Sequence, residues 1–159
     1  MTIRAAALDD VPSIATIWQQ GWHDAHDGRV PDALLRHRTP ESYPPRARER
    51  LAHTAVAEVG GSVVGFVVTV ESELEQLYVA VAARGTGVAQ SLIAHAEQEI
   101  AAAGHDESWL AVVADNDRAI AFYAKSGWVD TGPFDYQAEI AGGTLPVPCR
   151  RLVKQLRGN

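Results

Sequence analysis

The chain has 159 residues, 47% of them hydrophobic and 21% charged, with a formal net charge of −6. That length fits one domain with a real core (residues 1–159), and no apolar run approaches the ~20 residues of a membrane span. The acidic balance argues against general nucleic-acid binding, which favours a basic surface. Cys149 is the only cysteine, so no intrachain disulfide can form. With Asp9 and Asp10 following closely on the N-terminus, there is no signal-peptide pattern, and a cytoplasmic location is expected.

Thr2–Ala6 reads as a short strand. Asp9 or Asp10 can then cap a helix that tolerates Pro12 in its first turn. Val11, Ile14, Ala15, Trp18 and Trp22 recur at helical spacing and make one apolar stripe. From Gly28 to Pro45 the chain is rich in Pro, Arg and His. This reads as short helical pieces and loops, with another short helix near Arg46–His53. Thr54–Val59 and Ser62–Val70 are strand-like and joined by Gly60-Gly61, a hairpin signal. Leu74–Val81 is the next strand, antiparallel to its predecessor. Val88–Ala103 is a helix with Val88, Leu92, Ala96, Ile100 and Ala103 on one face, ended by Gly104. Ser108–Val113 follows as a strand. The intervening helix predicts that it runs parallel to Leu74–Val81. Ala119–Ser126 is a helix stopped by Gly127. Trp128–Ile140 and Pro146–Leu156 are the last strands, with Gly142-Gly143 in the turn.

The chemistry concentrates at residues 84–89, Arg-Gly-Thr-Gly-Val-Ala, between a strand and a helix. The first N–H groups of a helix have no intrahelical partners, and the dipole adds positive charge there, so such a place binds phosphate. A tight turn without ligand is the plain alternative. The string lacks the third glycine of a dinucleotide fingerprint and the Gly-Lys-Ser/Thr ending of a P-loop. The residues that follow are too few for two doubly wound halves.

The run Leu77-Tyr78-Val79…Arg84-Gly85-Thr86-Gly87-Val88-Ala89…Leu92, with Asn116…Ala119-Ile120-Ala121-Phe122-Tyr123…Gly127-Trp128, resembles the GCN5-related N-acetyltransferase (GNAT) family. The first block is similar to its acyl-CoA pyrophosphate motif, Arg/Gln-x-x-Gly-x-Gly/Ala. The second is similar to its Asn-x-x-Ala-x-x-Phe-Tyr-x-x-x-Gly-Phe block, with Trp128 in place of Phe. Ala80 and Val81 stand where the family often has Asp or His and then Pro. The resemblance implies an α/β fold with a mixed, mostly antiparallel sheet of about seven strands and helices on both sides. It implies N-acetylation of a primary amine by direct attack on acetyl-CoA, the cosubstrate, with no metal.

On that resemblance, Arg84, Gly85, Thr86, Gly87, Val88 and Ala89 hold the pyrophosphate. Backbone groups of Leu77, Tyr78 and Val79 pair with the pantetheine arm, Asn116 adds a side-chain contact, and a backbone N–H near Val79 stabilises the carbonyl oxygen. Tyr123 stands where the family's proposed general acid sits; from spacing alone it reads as a core tyrosine beside Phe122. Glu75 is a candidate base, as in some members, or a solvated charge in the alternating Glu71, Glu73, Glu75. It shares strand parity with Leu77 and Val79 unless a bulge intervenes. His23 and His26, with Asp24, Asp27 and His37 nearby, resemble a metal cluster but lack a third ligand at a convincing spacing. They line an acceptor site or lie on the surface. Cys149 reads as a packed thiol. Arg118 and Lys125 either reach the cofactor's ribose phosphate or are solvated.

The acceptor is undetermined, a small molecule, peptide N-terminus or lysine. Residues 22–53 and the 134–147 hairpin should shape its pocket, and Asp24, Asp27, Asp32, Glu41, Asp135 and Glu139 there suggest a cation. Other donors, non-amine acceptors and a non-catalytic acyl-CoA-binding module are the alternatives. No membrane or nucleic-acid partner is expected, and oligomeric state stays open, homodimers being frequent in the family.

Overall fold

The structure is a computed structural model that describes residues 1–156. Seven strands form one sheet in the order β1-β2-β3-β4-β5-β7-β6. They are β1 (Thr2–Ala5), β2 (Thr54–Val59), β3 (Ser62–Val70), β4 (Glu73–Val79), β5 (Glu107–Val113), β6 (Val129–Ile140) and β7 (Gly143–Gln155). The helices are α1 (Val11–His26), α2 (Asp32–Leu35), α3 (Tyr43–Glu49), α4 (Val88–Ala102) and α5 (Asp117–Lys125). All pairings are antiparallel except β4 with β5. The expected order of elements and the parallel crossover are therefore present, but the short helix expected near Arg46–His53 lies at Tyr43–Glu49, and the strand expected to reach Val81 ends at Val79. Among the described residues no helix is long and apolar enough to cross a membrane.

Local chemistry explains the elements. Gly60 and Gly61 both take positive φ, +57° and +82°, which the tight β2–β3 turn requires. Asp10 holds the N-cap position of α1, yet its carboxylate turns back to the Ala7 N–H and to Arg4 rather than capping the helix. Asn116 does cap α5, accepting the Ala119 N–H at 3.2 Å. The third helix begins at Tyr43, with Pro44 and Pro45 in its first turn, where a missing N–H costs no intrahelical bond.

The sheet separates two apolar layers. On one face lie α1, α2 and α3, with Ile14, Trp18, Trp22, Leu34 and Tyr43 packed on Val56, Phe66 and Val68. On the other face α4 packs Val88, Leu92 and Ala96 on Ala57, Val67 and Leu110. The expected stripes of both long helices are buried, except that Ala103 lies past the end of α4 and is exposed.

Gly21 of α1 is where the helix touches β4. A Cβ there would lie 2.4 Å from Cδ1 of Tyr78. In an open helix Gly→Ala gains about 1 kcal/mol of propensity. Here the ring blocks it, and overpacking of this kind costs about 1–3 kcal/mol. Gly21→Ala is therefore expected to lower stability in urea unfolding. A stabilised variant would show that α1 does not approach β4 this closely.

Candidate active site

β4 and β5 meet at only one register pair, Glu73 with Trp109, next to a Trp109 N–H bond to the Ser72 carbonyl at 3.1 Å. Beyond that point the strands separate, and a cleft of about 530 Å³ opens between them. On its other edge β4 stays paired with β3, and Ala80 donates its N–H to the Val64 carbonyl at 2.8 Å. Hydrogen-bonded and non-hydrogen-bonded pairs alternate in an antiparallel ladder. Gly65–Val79 and Val67–Leu77 are then the non-hydrogen-bonded pairs, so Leu77 and Val79 direct their N–H and C=O groups into the gap. A strand-like amide chain can pair with them there.

At the mouth of the gap the chain makes a 3-10 turn, Val81–Ala83, then the glycine loop. Gly85 and Gly87 have φ of +78° and +90°, and a Cβ at either would meet nothing within 4 Å. The loop is open above its backbone. Gly87 is the N-cap of α4, whose first turn carries no acidic residue. The first helical bond runs from Ser91 N–H to the Gly87 carbonyl at 3.1 Å. The N–H groups of Val88, Ala89 and Gln90 thus have no partner within the helix. The Thr86 hydroxyl braces the turn on the Ala83 carbonyl. The Arg84 guanidinium pairs with Asp24 at 3.0 Å, tying the loop to the end of α1. The open glycine loop, the unpartnered helix N–H groups and the split strands fit a pyrophosphate joined to an amide-bearing arm.

Tyr123 and Asn116 line the cleft opposite β4. The Tyr123 ring packs edge-on against Phe122 and Trp128, with centroids 5.3 and 6.1 Å away. Burial pushes its phenol above the usual tyrosine value, so it stays protonated.

β4 also carries the acidic groups. The register passes from Val68–Gln76 to Thr69–Leu74, so Glu75 is an extra residue, a β-bulge. The bulge breaks the parity expected from sequence. Leu77 and Val79 pack on the α4 layer with Leu74, whereas Tyr78 faces the α1 layer. Glu75 meets Arg50, which follows the end of α3 and whose Nε donates to its carboxylate at 2.5 Å. Arg50 also holds Glu139 at 3.1 Å.

Glu75 still lines the cleft, and so does Glu73, whose Oε2 accepts the Tyr136 hydroxyl at 2.7 Å. Burial pushes its carboxyl up to about 7, with the Glu75 charge adding to the rise, while Tyr136 and Arg50 oppose it. Sequence reasoning saw Glu73 only as one of three alternating glutamates. Its partner on β6 lies 63 residues away, and no local pattern announces it.

The helical side of the cleft is lined by Trp22, Ala25, His26, Arg38, Arg46 and Arg50. His26 stacks on Trp22 at 4.4 Å and contacts the Trp22 carbonyl at 2.8 Å. Burial and the nearby Arg38 and Arg29 charges take its imidazole down to about 4, so it is neutral at pH 7. His23 is occupied by Asp27 and the Arg38 carbonyl. Among the described residues no group of three or more His, Cys, Asp or Glu is placed to hold a metal ion. Of the six acidic residues that suggested a cationic acceptor, only Glu139 lines the cleft, and Arg50 holds it. Cys149 is buried, its thiol pushed up to about 11, the state of a packed thiol. Arg118 and Lys125 are exposed.

A mixed sheet split at its parallel pair, with a glycine loop and helix N-terminus at the mouth, defines an acyl-CoA-type transferase fold. The family model of the acetyltransferase (GNAT) family matches residues 13–128, and the chain belongs to that family. Membership makes it an acetyl-CoA-dependent acyltransferase. Solved structures agree on the fold. A GCN5-related N-acetyltransferase from Rhodopseudomonas palustris superposes with a TM-score of 0.75 at 21% identity, covering 97% of this chain and 94% of that one. The Salmonella typhimurium protein yncA, solved with its cofactor acetyl-CoA, gives 0.71 at 19% identity, over 100% and 95%. The ribosomal-protein-alanine N-acetyltransferase of Brucella melitensis gives 0.68 at 22% identity, over 98% and 99%. A search of curated proteins finds no match.

Proposed function

We propose that the chain transfers the acetyl group of acetyl-CoA to a primary amine by direct attack on the thioester. The observation that carries this reading is the gap between β4 and β5, floored by the backbone of Leu77, Tyr78 and Val79 and ending at the open glycine loop. The Salmonella neighbour with acetyl-CoA supports the donor. The pyrophosphate rests on the N–H groups of Gly85 through Ala89, with Arg84 at the rim. The pantetheine arm pairs with Leu77 and Val79, and Asn116 stands across from it. A backbone N–H of Leu77 or Val79 stabilises the charge that develops on the carbonyl oxygen.

Two side chains move protons. Glu73, rather than the Arg50-bound Glu75, takes the proton from the incoming ammonium, directly or through water. Its carboxyl near 7 is half ionised at neutral pH, a suitable strength for this task. Tyr123 gives a proton to the departing thiolate. The amine nitrogen forms its bond to the carbonyl carbon as the carbon–sulfur bond breaks, the nitrogen's second proton is lost and Tyr123 is reprotonated through water, and the products are the amide and CoA.

The test pairs calorimetric binding of CoA with thiol release from acetyl-CoA over an amine panel. Binding with amine-dependent release is expected. Tight binding without release for any amine would favour a non-catalytic acyl-CoA sensor. Gly87→Asp places a carboxylate over the loop, and Gly87→Asn imposes the same backbone strain without charge. The Asp variant should bind CoA about tenfold or more weakly than the Asn variant, at equal helix content. Equal affinities would remove the phosphate from this loop.

A further inference from the structure

Among the described residues, six buried side-chain polar atoms lack a hydrogen-bond partner, and five of them lie together at the helical side of the cleft. They are Trp18 Nε1, Arg38 Nε, the Tyr43 hydroxyl, and Nε and Nη1 of Arg46. Every one can donate, and three of them belong to two guanidinium cations. Arg46 stacks 4.3 Å over the Trp18 ring and 5.6 Å from that of Tyr43. Arg38 is only 4% exposed, and its Nη2 is bound to the Glu139 carbonyl at 2.6 Å. Neither Arg38 nor Arg46 has a carboxylate partner among the described residues, whereas Arg50 beside them has Glu75 and Glu139. Burial and the neighbouring guanidiniums weaken Arg46 as a cation, down to about 10, and it remains charged at pH 7.

Buried polar groups are normally satisfied, and a site that gathers unmet donors on positive charge is built for an anion. Both arginines line the cleft. The planar guanidinium fork matches a carboxylate in two directions. The cleft, about 530 Å³, must also admit the end of the acyl donor, which leaves room for a small acceptor. Glu73 on β4, in its ionised form, offers the opposite sign to the ammonium end of the same molecule.

We propose that the acceptor is a small amino carboxylate of amino-acid size, whose carboxylate is held by Arg38 and Arg46 while its amine faces Glu73. This rests on the acetyl-transfer reading above and reverses the cationic acceptor that the acidic residues suggested.

The experiment uses the CoA-loaded protein with free amino acids, their N-acetyl derivatives and the matched carboxamides. CoA binding is measured first and alone, so a failure to bind CoA counts against the acetyl-transfer reading and not against this one. With CoA bound, at least one carboxylate should raise the unfolding temperature and its carboxamide should not. In acetyl transfer, kcat/KM for the amide should fall by about 100-fold or more, chiefly through KM. Arg46→Gln should abolish the discrimination while leaving CoA affinity unchanged, and Arg46→Lys should restore part of it. Equal response to acid and amide overturns the proposal, as does stabilisation by no carboxylate in the panel. Discrimination that survives in both Arg46→Gln and Arg38→Gln also overturns it.

Discussion

Tyr123→Phe is expected to lower kcat by about 10²–10⁴-fold, the range usual for loss of a general acid, with CoA affinity nearly unchanged. The substitution keeps the ring between Phe122 and Trp128 and removes only the hydroxyl. Burial holds that hydroxyl protonated through neutral pH, so it arrives at the reaction as a donor. The departing thiolate is where negative charge collects as the carbon–sulfur bond breaks. A donor placed there acts in the transition state and scarcely in the ground state, so the loss belongs in kcat rather than KM. Steady-state kinetics with any accepted amine, next to calorimetric CoA binding, makes the distinction. An unchanged kcat would make Tyr123 a packing residue of the α5 layer.

Glu73→Gln is expected to produce a loss of similar size above pH 7 and to remove the acidic limb of the pH–rate profile. A base works ionised, so activity should rise as Glu73 loses its proton, near pH 7 and not near the ordinary 4.5. Tyr136→Phe removes a hydrogen bond that favours the ionised form, and the limb should move to higher pH. Glu75→Gln removes a like charge, so the limb should move to lower pH and survive. If instead Glu75→Gln abolishes the limb and Glu73→Gln keeps it, the roles are exchanged.

The same group affects stability. Its carboxyl is raised in the folded state, so its contribution is complete below about 4.5 and is lost as pH rises through about 7. Glu73→Gln should flatten that part of the stability profile, measured by urea unfolding at several pH values. A variant as pH-dependent as the parent would place Glu73 in water.

The elements and the glycine loop were legible because their signals are local. Paired glycines at 60–61 can turn the chain only where positive φ is allowed, and the observed hairpin spans the expected strands. The stripes on α1 and α4 repeat at helical spacing, and burial follows that repeat. The loop at 84–89 is readable for the same reason, since strand, glycines and helix follow each other directly.

What sequence did not show is which charges face the cleft. Asp24 and Glu139 are each held by an arginine, Arg84 and Arg50, and Asp27 bonds the His23 ring, while Asp32, Glu41 and Asp135 stay exposed. Arg46 on α3 and Arg50, just past its end, are four residues apart, in step with the buried Tyr43 and Ala47. That spacing was a usable sign that these arginines point inward. Tertiary structure alone decided the bulge at Glu75, because a bulge is a mismatch between two strands and exists only once they pair. It likewise decided the chemical strength of Glu73, which depends on burial and on Tyr136 arriving from another strand. Sequence by itself determined where the chain turns, coils and extends, since those choices depend on neighbours within a few residues. The sign and strength of the groups around the substrate depend on desolvation and long-range partners, and folding alone creates those.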